Sequence, residues 1–404
     1  MALKKIMFVS YGGGHANIAR LIYQGLKKRN DVEIKVLALT VAGKIFDQYH
    51  VPYKTSSCYL DLFEDMEQIR NYGQRLAQTC WNQESGIAYE DSVAYLGFGY
   101  RDLVGKYGEE KAEYLFQQKE RKAFWPEDVM KTILLYEKPD ALVITCGVRS
   151  EGAAGTAANR LGIPVIRIAD LPTYDPSNCD CMLCVMNEYA RQFAIKEFRI
   201  KEEKITITGQ PVFEDNLVIN KDSLDESRHK IRIDSFDKMI LYLEEPGVEE
   251  TKEVEKCLKE IAAVRTDLLF VFKMHPNQDL DKNYWESDNI LVVRDFRLKD
   301  LLFLCDLAIT KDSTAGMEAV LMGKPLINLM LSDSILDYSE YRISERVLNL
   351  TQLPVAINEC LDEESEIYLN LKRGRESFAN KQNAVENIIE VILNEIKNQN
   401  ERKI

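Results

Sequence analysis

A glycine-rich turn near the amino terminus is the first segment whose residues could carry out chemistry. Tyr11 is followed by three glycines and then by His15, after an apolar run that predicts a strand over residues 5–10. Glycines let a ligand approach the backbone, and the helix that follows offers unpaired N–H groups, so Gly13 and Gly14 are candidate ligand contacts. An imidazole transfers protons near neutral pH, which makes His15 a candidate general base. A purely structural role in capping the helix remains the alternative for His15.

A histidine in the second half of the chain is the next candidate. His275 follows a predicted strand over residues 268–274 and precedes Pro276. The proline restricts the turn, so the imidazole can bind a phosphate at little entropic cost. We therefore predict that His275 contacts a phosphorylated ligand.

The segment from Lys311 to Glu318 carries the most specific pattern. Ser313, Thr314 and Gly316 lie at the start of a predicted helix, where hydroxyls and exposed N–H groups form a cap suited to a diphosphate. Glu318 lies further along the same helix, where a carboxylate can accept hydrogen bonds from two ribose hydroxyls. The alternative is an ordinary helix cap with a solvent-facing Glu318. Such a cap needs only one hydroxyl, so it does not explain the rest of the pattern.

Charged residues also follow several predicted strands. Asp170 follows the predicted strand of residues 164–168, and Glu244 and Glu245 follow the first predicted strand of the second half. A carboxylate at a strand end can take a proton from an acceptor hydroxyl, so Asp170 is the second candidate base, although many such residues only cap a loop. Arg149 is a weaker candidate for contact with substrate.

The composition excludes some classes of function. The chain has 65 acidic and 52 basic residues among 404, a net charge of −13, which argues against binding nucleic acid because phosphate backbones demand a cationic surface. No apolar run reaches the ~18 residues that a membrane-spanning helix needs. Nine cysteines and no recognisable export signal fit reduced thiols. We expect a cytoplasmic protein, with peripheral contact to the inner face of the membrane left open.

Three cysteines are clustered in sequence. Cys179, Cys181 and Cys184 have a spacing that invites comparison with zinc sites, but three ligands without a fourth partner fall short of a closed site. The preferred interpretation is that residues 181–186 form a buried strand with cysteines as small apolar side chains. We therefore predict no metal site.

The order of the predicted elements indicates an α/β fold. Strand-like runs alternate with helical patterns in both halves of the chain, which is typical of parallel sheets with crossover helices. We predict two Rossmann-like, doubly wound domains that face across a cleft and bind ligands beyond the carboxyl ends of their strands. We predict a first domain over 1–215 with a helical, aromatic-rich insertion at about 59–136, followed by a linker over 216–237. A second domain would cover 238–375, and a carboxyl-terminal helix within 376–404 could cross back to the first domain.

Several of these motifs occur together in one known superfamily. The Gly-Gly-Gly-His turn, His275-Pro276, Gly209-Gln210-Pro211 and the run from Asp312 to Pro325 resemble the GT-B superfamily of glycosyltransferases, over nearly the whole chain except the insertion. The first turn and Glu318-x4-Gly323-x-Pro325 are most similar to the peptidoglycan N-acetylglucosaminyl transferase. The resemblance implies that Ser313 and Thr314 bind phosphates, that Glu318 grips the ribose, and that His15 lies near acceptor or donor.

Other members of the superfamily keep alternatives open. The chain is similar to the non-hydrolysing UDP-N-acetylglucosamine 2-epimerases in Thr208-Gly209-x-Pro211 and His275-Pro276-Asn277, but those enzymes have a different turn after their first strand, which favours transfer over epimerisation. Bacterial sialyltransferases and glycerophosphate transferases of wall-polymer synthesis also pair a His-Pro with a Ser/Thr-rich cap, so a CMP- or CDP-linked donor remains an alternative. A non-catalytic nucleotide-sugar-binding protein is a further one.

The expected function follows from the resemblance. We expect a glycosyltransferase of hexosyl or N-acetylhexosaminyl type that moves a sugar from a nucleotide-sugar donor, UDP-linked by preference, to a glycan or lipid-linked acceptor in cell-surface polysaccharide biosynthesis. A helix terminus, hydroxyls and an imidazole would stabilise the leaving phosphate, so we expect neither a metal nor a cofactor.

Overall fold

The structure is a computed structural model that describes residues 3–172, 179–215, 217–244, 250–274, 287–294, 296–311, 313–332 and 337–402. The chain divides into two compact units. Unit 1 comprises Met1–Glu214 and Lys381–Ile404, and unit 2 comprises Asp215–Asn380.

The strands and helices of the described residues follow in chain order. The strands are β1 (Lys4–Ser10), β2 (Val32–Ala38), β3 (Ala141–Ile144), β4 (Val165–Ile168), β5 (Met182–Val185), β6 (Ile205–Ile207), β7 (Lys238–Leu243), β8 (Leu268–Lys273), β9 (Ile290–Val293), β10 (Leu307–Thr310), β11 (Leu326–Leu329) and β12 (Glu345–Val347). The helices are α1 (Gly14–Leu26), α2 (Ala42–Gln48), α3 (Met66–Cys80), α4 (Tyr89–Tyr107), α5 (Glu109–Lys119), α6 (Glu127–Glu137), α7 (Arg149–Arg160), α8 (Glu188–Phe198), α9 (Pro211–Asp215), α10 (Lys221–Ile231), α11 (Thr251–Val264), α12 (Leu298–Leu304), α13 (Ala315–Leu321), α14 (Leu353–Leu361), α15 (Glu366–Ser377) and α16 (Ala384–Arg402).

Unit 1 is built on a parallel sheet with the strand order β2-β1-β3-β4-β5-β6. Its central strands are apolar throughout because both faces of the sheet are covered. In β1, Ile6 and Phe8 pack in the cluster that contains α1 and α16, whereas Met7 and Val9 pack in the cluster that contains the insertion helices. The strand order reverses direction between β1 and β3, so this is where a doubly wound sheet binds ligands.

The insertion between β2 and β3 is helical, and most of its aromatic side chains form a core. The buried aromatic residues of this region are Tyr59, Phe63, Tyr95, Phe98, Tyr100, Phe116 and Phe124. Four tyrosines of the insertion are exposed, namely Tyr89, Tyr107, Tyr114 and Tyr136. Packing is therefore the main role of these aromatic residues.

Unit 2 repeats the plan with the parallel order β12-β11-β10-β7-β8-β9. Its strand order reverses between β7 and β10. The segment predicted as a linker contains α10, which is fixed within unit 2 because the hydroxyls of Ser223 and Ser227 donate to Asp300 Oδ2 at 2.6 and 3.1 Å. The predicted pair of doubly wound α/β units is thus the fold observed.

The carboxyl-terminal helix α16 belongs to unit 1. Its apolar face, with Ile388, Ile392 and Ile396 buried, packs in the same cluster as α1. Among the described helices, none is both long and apolar enough to cross a membrane.

Candidate active site

Two predicted residues meet where the strand order of unit 1 reverses. His15 lies at the start of α1, directly beyond β1, and Asp170 follows β4. Their Nε2 and Oδ2 atoms are 3.8 Å apart, and the side chains are 25% and 31% exposed, so a ligand can reach both. That separation is too long for a hydrogen bond but allows ion pairing when the imidazole is protonated. The structure therefore brings the two candidate bases together.

A third residue, which sequence analysis did not single out, fixes the imidazole. Thr145 follows β3, and its Oγ1 lies 2.9 Å from Nδ1 of His15. The same hydroxyl donates to Oε2 of Glu151 at 3.0 Å. The hydroxyl hydrogen is used in that bond, so Thr145 Oγ1 accepts from Nδ1–H of His15. The neutral ring then has its free electron pair on Nε2, the nitrogen that faces Asp170.

Glu151 is the buried anchor of this arrangement. Its side chain is fully buried in the first turn of α7, and Oε1 accepts from the backbone N–H of Tyr11 at 2.7 Å. Oε2 accepts from the backbone N–H groups of Thr145 and Cys146 at 2.7 and 2.9 Å. One carboxylate therefore ties the loop after β1 to the loop after β3. Backbone hydrogen bonds of this kind hold His15 and Thr145 in a defined geometry.

The glycine-rich turn leaves space for a ligand. A Cβ atom added to Gly13 or Gly14 would meet no atom within 4 Å, and Gly13 has a φ of +68° that side chains rarely adopt. Both residues are exposed. The backbone beside His15 is therefore open, as the sequence predicted for a ligand contact.

Arg149 is placed by an aromatic contact. Its guanidinium carbon lies 4.5 Å from the ring centroid of Tyr11, and its backbone φ is +47°. Burial raises the pKa of the Tyr11 phenol, whose oxygen accepts from the N–H of Ser150 at 3.2 Å. Arg149 thus lies at the edge of the unit 1 site, at the first residue of α7, the helix that also carries Glu151.

The corresponding position in unit 2 contains the predicted phosphate cap. Ser313 lies between β10 and the seven-residue helix α13. Its N–H donates to Thr310 Oγ1 at 3.3 Å, and its own Oγ accepts from the N–H of Ala315 at 3.3 Å. Thr314 is exposed and makes no capping hydrogen bond with its side chain. Its hydroxyl is therefore the more accessible of the two, and Glu318 lies half-buried further along the helix.

Gly316 has a packing role in the structure. The residue is buried, and a Cβ atom there would lie 3.0 Å from Cγ2 of Thr310 and 3.1 Å from the ring of Tyr338. Glycine thus allows α13 to approach its neighbours closely, and the predicted ligand contact at Gly316 stays a prediction.

Two residues missed by sequence analysis hold the cap. Asn328 is fully buried in β11, donates through Nδ2 to the carbonyl of Lys311 at 2.6 Å, and accepts at Oδ1 from the N–H of Tyr338 at 3.0 Å. The Tyr338 hydroxyl donates to the carbonyl of Ser313 at 2.6 Å. A polar residue inside the apolar run of β11 was the available signal for Asn328, because buried polar groups need partners.

A lysine also lies at this cap. Lys311 Nζ is 2.7 Å from Ser332 Oγ and 3.4 Å from Glu250 Oε2. The hydrogen bond from Ser332 lowers the pKa of Glu250 most, and the backbone N–H of Glu250 and the charge of Lys311 lower it further. The side chain of Lys311 is only 13% exposed, so its charge is partly shielded from solvent.

Some predicted residues fall outside the described part. His275, Pro276, Asp312 and Glu245 are among the residues that the structure does not describe. Glu244 is buried after β7.

The cysteines are free thiols. Cys181 and Cys184 are buried, and burial raises the pKa of Cys184 to about 12. In the described ranges no group of three or more His, Cys, Asp or Glu side chains is arranged to hold a metal ion.

Two parallel six-stranded sheets, each with polar loops where its strand order reverses, define a GT-B fold. Solved structures of this fold cover nearly the whole chain. S. aureus MnaA with UDP is 15% identical, with a TM-score of 0.62 over 96% of this chain and 95% of that chain. The UDP-GlcNAc 2-epimerase from Neisseria meningitidis bound to UDP-GlcNAc is 15% identical, with a TM-score of 0.60 over 96% and 100%. A glycosyltransferase from Rickettsia africae is 13% identical, with a TM-score of 0.53 over 100% and 98%. These similarities establish the fold.

The family is established by sequence. Residues 153–393, more than half of the chain, match the family described as CDP-glycerol:poly(glycerophosphate) glycerophosphotransferase. The chain belongs to this family. No curated protein matches the chain.

Proposed function

We propose that the protein is a transferase that moves a group from a nucleotide-activated donor to a hydroxyl of an acceptor, with His15 as the general base. The observation that carries this proposal is the chain of hydrogen bonds from Glu151 through Thr145 to Nδ1 of His15, which leaves Nε2, on the side of Asp170, as the nitrogen that can accept a proton. A base held in one orientation by a buried carboxylate is typical of enzymes that deprotonate a hydroxyl.

For the donor we propose a CDP-linked polyol phosphate such as CDP-glycerol, because of the family to which the chain belongs. His15 would take the proton of the acceptor hydroxyl, the acceptor oxygen would attack the phosphorus that carries the polyol, and the bond to CMP would break. The product is a phosphodiester, CMP leaves, and the proton rests on Nε2. Asp170, 3.8 Å away, would stabilise the resulting imidazolium.

A UDP-sugar is the second candidate donor, because proteins of the same fold have been solved with UDP or UDP-GlcNAc. In that reaction the acceptor oxygen would attack the anomeric carbon of a hexosyl or N-acetylhexosaminyl group, and UDP would leave. In both reactions we propose a glycan or lipid-linked acceptor.

We propose that unit 2 binds the nucleotide. The hydroxyls of Ser313 and Thr314 and the charge of Lys311 would contact the phosphates, and Glu318 the ribose. His275 is kept as a proposed phosphate contact on the strength of its sequence position alone.

We further propose that neither a cofactor nor a divalent cation is required. Asp279-Leu280-Asp281, a pair with metal-binding spacing, lies outside the described residues, so this point needs a direct test. Turnover that survives EDTA would support the proposal, and turnover restored only by Mg²⁺ or Mn²⁺ would contradict it.

The experiment that tests the function uses the full chain with CDP-glycerol, UDP-GlcNAc and a CMP-linked sugar. Thermal shift identifies the donor that binds, and nucleotide release in the presence of glycan or lipid-linked acceptors identifies the reaction. We expect acceptor-dependent release of CMP from CDP-glycerol, lost in His15→Gln. Release of UDP would select the second candidate. Conversion of UDP-GlcNAc without an acceptor would instead indicate epimerisation, and donor binding without turnover a binding protein.

A further inference from the structure

A cavity of about 240 Å³ lies in unit 1 beside the carboxyl end of β2. Pockets that bind drug-sized ligands have volumes of about 300–1,000 Å³. The smaller volume of this cavity suits a sugar ring or a short polyol better than a nucleotide. Most of its wall comes from the insertion, and we call it the insertion cavity. Its lining includes Thr40, Trp81, Asp91, Ser92, Tyr95 and Arg121.

The polar groups of this cavity are only partly satisfied by the protein. Asp91 Oδ1 accepts from the hydroxyls of Thr55, at 2.5 Å, and Ser57. Over the described ranges, Asp91 Oδ2 and the hydroxyls of Thr40 and Ser92 make no hydrogen bond within the protein. Ser92 is only 9% exposed as a residue, and its hydroxyl lines the cavity, where a ligand can contact it. The cavity therefore offers one charged acceptor and two hydroxyls to a ligand.

The insertion cavity adjoins the loops that hold His15. Tyr95, in its wall, hydrogen-bonds through its hydroxyl to that of Tyr11 at 3.0 Å. Tyr11 in turn follows β1 and donates its N–H to Glu151. The strand at the cavity, β2, pairs directly with β1, and paired strands lie only about 4.8 Å apart. A molecule held in this cavity would thus lie one strand away from the glycine-rich turn.

We propose that the insertion cavity binds a sugar ring or polyol unit of the acceptor. Asp91 Oδ2 accepts hydrogen bonds from its hydroxyls, Ser92 and Thr40 exchange hydrogen bonds with it, and the indole of Trp81 contacts its apolar face. The proposal rests on the proposed function, because the acceptor is the substrate whose hydroxyl His15 would deprotonate. The carboxylate of Asp91 balances the charge of the Arg121 guanidinium in the lining, and this balance, together with the aromatic groups, favours a neutral polyhydroxylated ligand over a phosphate in this cavity.

A direct binding experiment tests the cavity without the donor. Methyl glucoside, methyl N-acetylglucosaminide and glycerol are offered separately to the full chain, and binding is followed by saturation-transfer NMR. We expect saturable binding of at least one probe, weakened about tenfold or more by Asp91→Asn, because a hydrogen bond to a charged group is lost. Glu90→Gln is the matched control, since it removes a charge from an adjacent, exposed residue outside the cavity lining.

A kinetic experiment separates this proposal from the proposed function. Asp91→Asn should raise KM for the acceptor and leave KM for the donor unchanged, and Ser92→Ala serves as a second, less disruptive variant if Asp91→Asn fails to fold. If His15→Gln abolishes transfer while both cavity variants keep the wild-type acceptor KM, the cavity assignment is wrong and the function stands. If no donor supports transfer, the function is wrong, and the NMR experiment still decides whether the cavity binds a sugar. Absence of binding by all three probes would overturn the proposal.

Discussion

The two sheets reverse their strand order in the same way, yet different groups are placed at the two reversal points. In unit 1 the loops are tied by the buried carboxylate of Glu151, which holds a histidine through Thr145. In unit 2 the loop after β10 is tied by a neutral amide, Asn328, and by the hydroxyl of Tyr338. One topology thus carries an oriented imidazole in one unit and, in the other, a hydroxyl-rich cap with the Lys311–Glu250 ion pair beside it.

This difference suggests a division of roles. A buried carboxylate orients an imidazole and stabilises its charged form, which is useful for proton transfer. A loop held by neutral groups presents hydroxyls without adding negative charge, which is useful for binding phosphates. The following predictions test whether unit 1 performs the chemistry and unit 2 the binding.

The largest effect is expected at His15. His15→Gln should lower kcat by about 10²–10⁴-fold, the usual contribution of a general base, and leave the donor-induced thermal shift unchanged. His229, on the last turn of α10 in unit 2, provides the control through His229→Gln, which should keep wild-type turnover. If His15→Gln and His229→Gln lowered kcat equally, the chemical step could not be assigned to unit 1.

Glu151→Gln should have the next largest effect. The glutamine side chain has one oxygen and one NH₂ group in place of two carboxylate oxygens. If its oxygen accepts from Thr145 and Cys146, its NH₂ group faces the backbone N–H of Tyr11, which then has no acceptor. We expect the free energy of unfolding to fall by about 2–4 kcal/mol, because hydrogen bonds to a buried charged group are lost. Chemical denaturation measures the change.

The control for Glu151 is Glu64→Gln at an exposed position of the same unit. We also expect Glu151→Gln to shift the pH profile of kcat, since it removes the buried negative charge behind Thr145 and His15. A variant with wild-type stability and an unchanged pH profile would show that Glu151 does not position His15.

In unit 2, Asn328→Ala should weaken donor binding with little effect on the chemical step. The substitution leaves the Lys311 carbonyl and the Tyr338 N–H without their partner, so the loop that carries Ser313 loses its support. We expect KM for the donor to rise about tenfold, in line with a lost buried hydrogen bond, while kcat at saturating donor changes little. A fall in kcat as large as that of His15→Gln would contradict the division of roles.

The sequence predicted the fold because its signals are local. Apolar runs followed by glycines or charged residues predicted the central strands and the loops after β1, β4 and β10. The predicted linker was instead found to contain α10, because a charged segment hides a helix that is capped by Asn220 and fixed by Asp300. Strand β12 was missed because it is three residues long and contains Glu345 and Arg346.

The arrangement of the site was harder to predict from the sequence than the fold. His15 and Asp170 were predicted from their positions after strands, and the structure brings them together. Glu151 could not be recognised, because its acceptor role depends on Tyr11, 140 residues away in sequence. Long-range partners of this kind follow from the register of the sheet and not from any local pattern.

The smallest expected effect concerns the ion pair at the unit 2 cap. Ser332 first, and then Lys311, lower the pKa of Glu250 below its ordinary value, so the ionised carboxylate stabilises the folded state at neutral pH. This contribution should be fully present above the pKa of the unfolded chain and should be lost as the pH falls through the lower, folded value. Because the groups are near the surface, we expect less than about 1 kcal/mol. The measurement is the difference in unfolding midpoint between the wild type and Glu250→Gln as the pH is lowered from about 7, with the difference shrinking once the pH falls below the ordinary glutamate pKa of about 4.3. A difference that grows on acidification would mean that the folded state does not hold the Glu250 carboxyl ionised, and the ion pair would then not belong to the unit 2 cap.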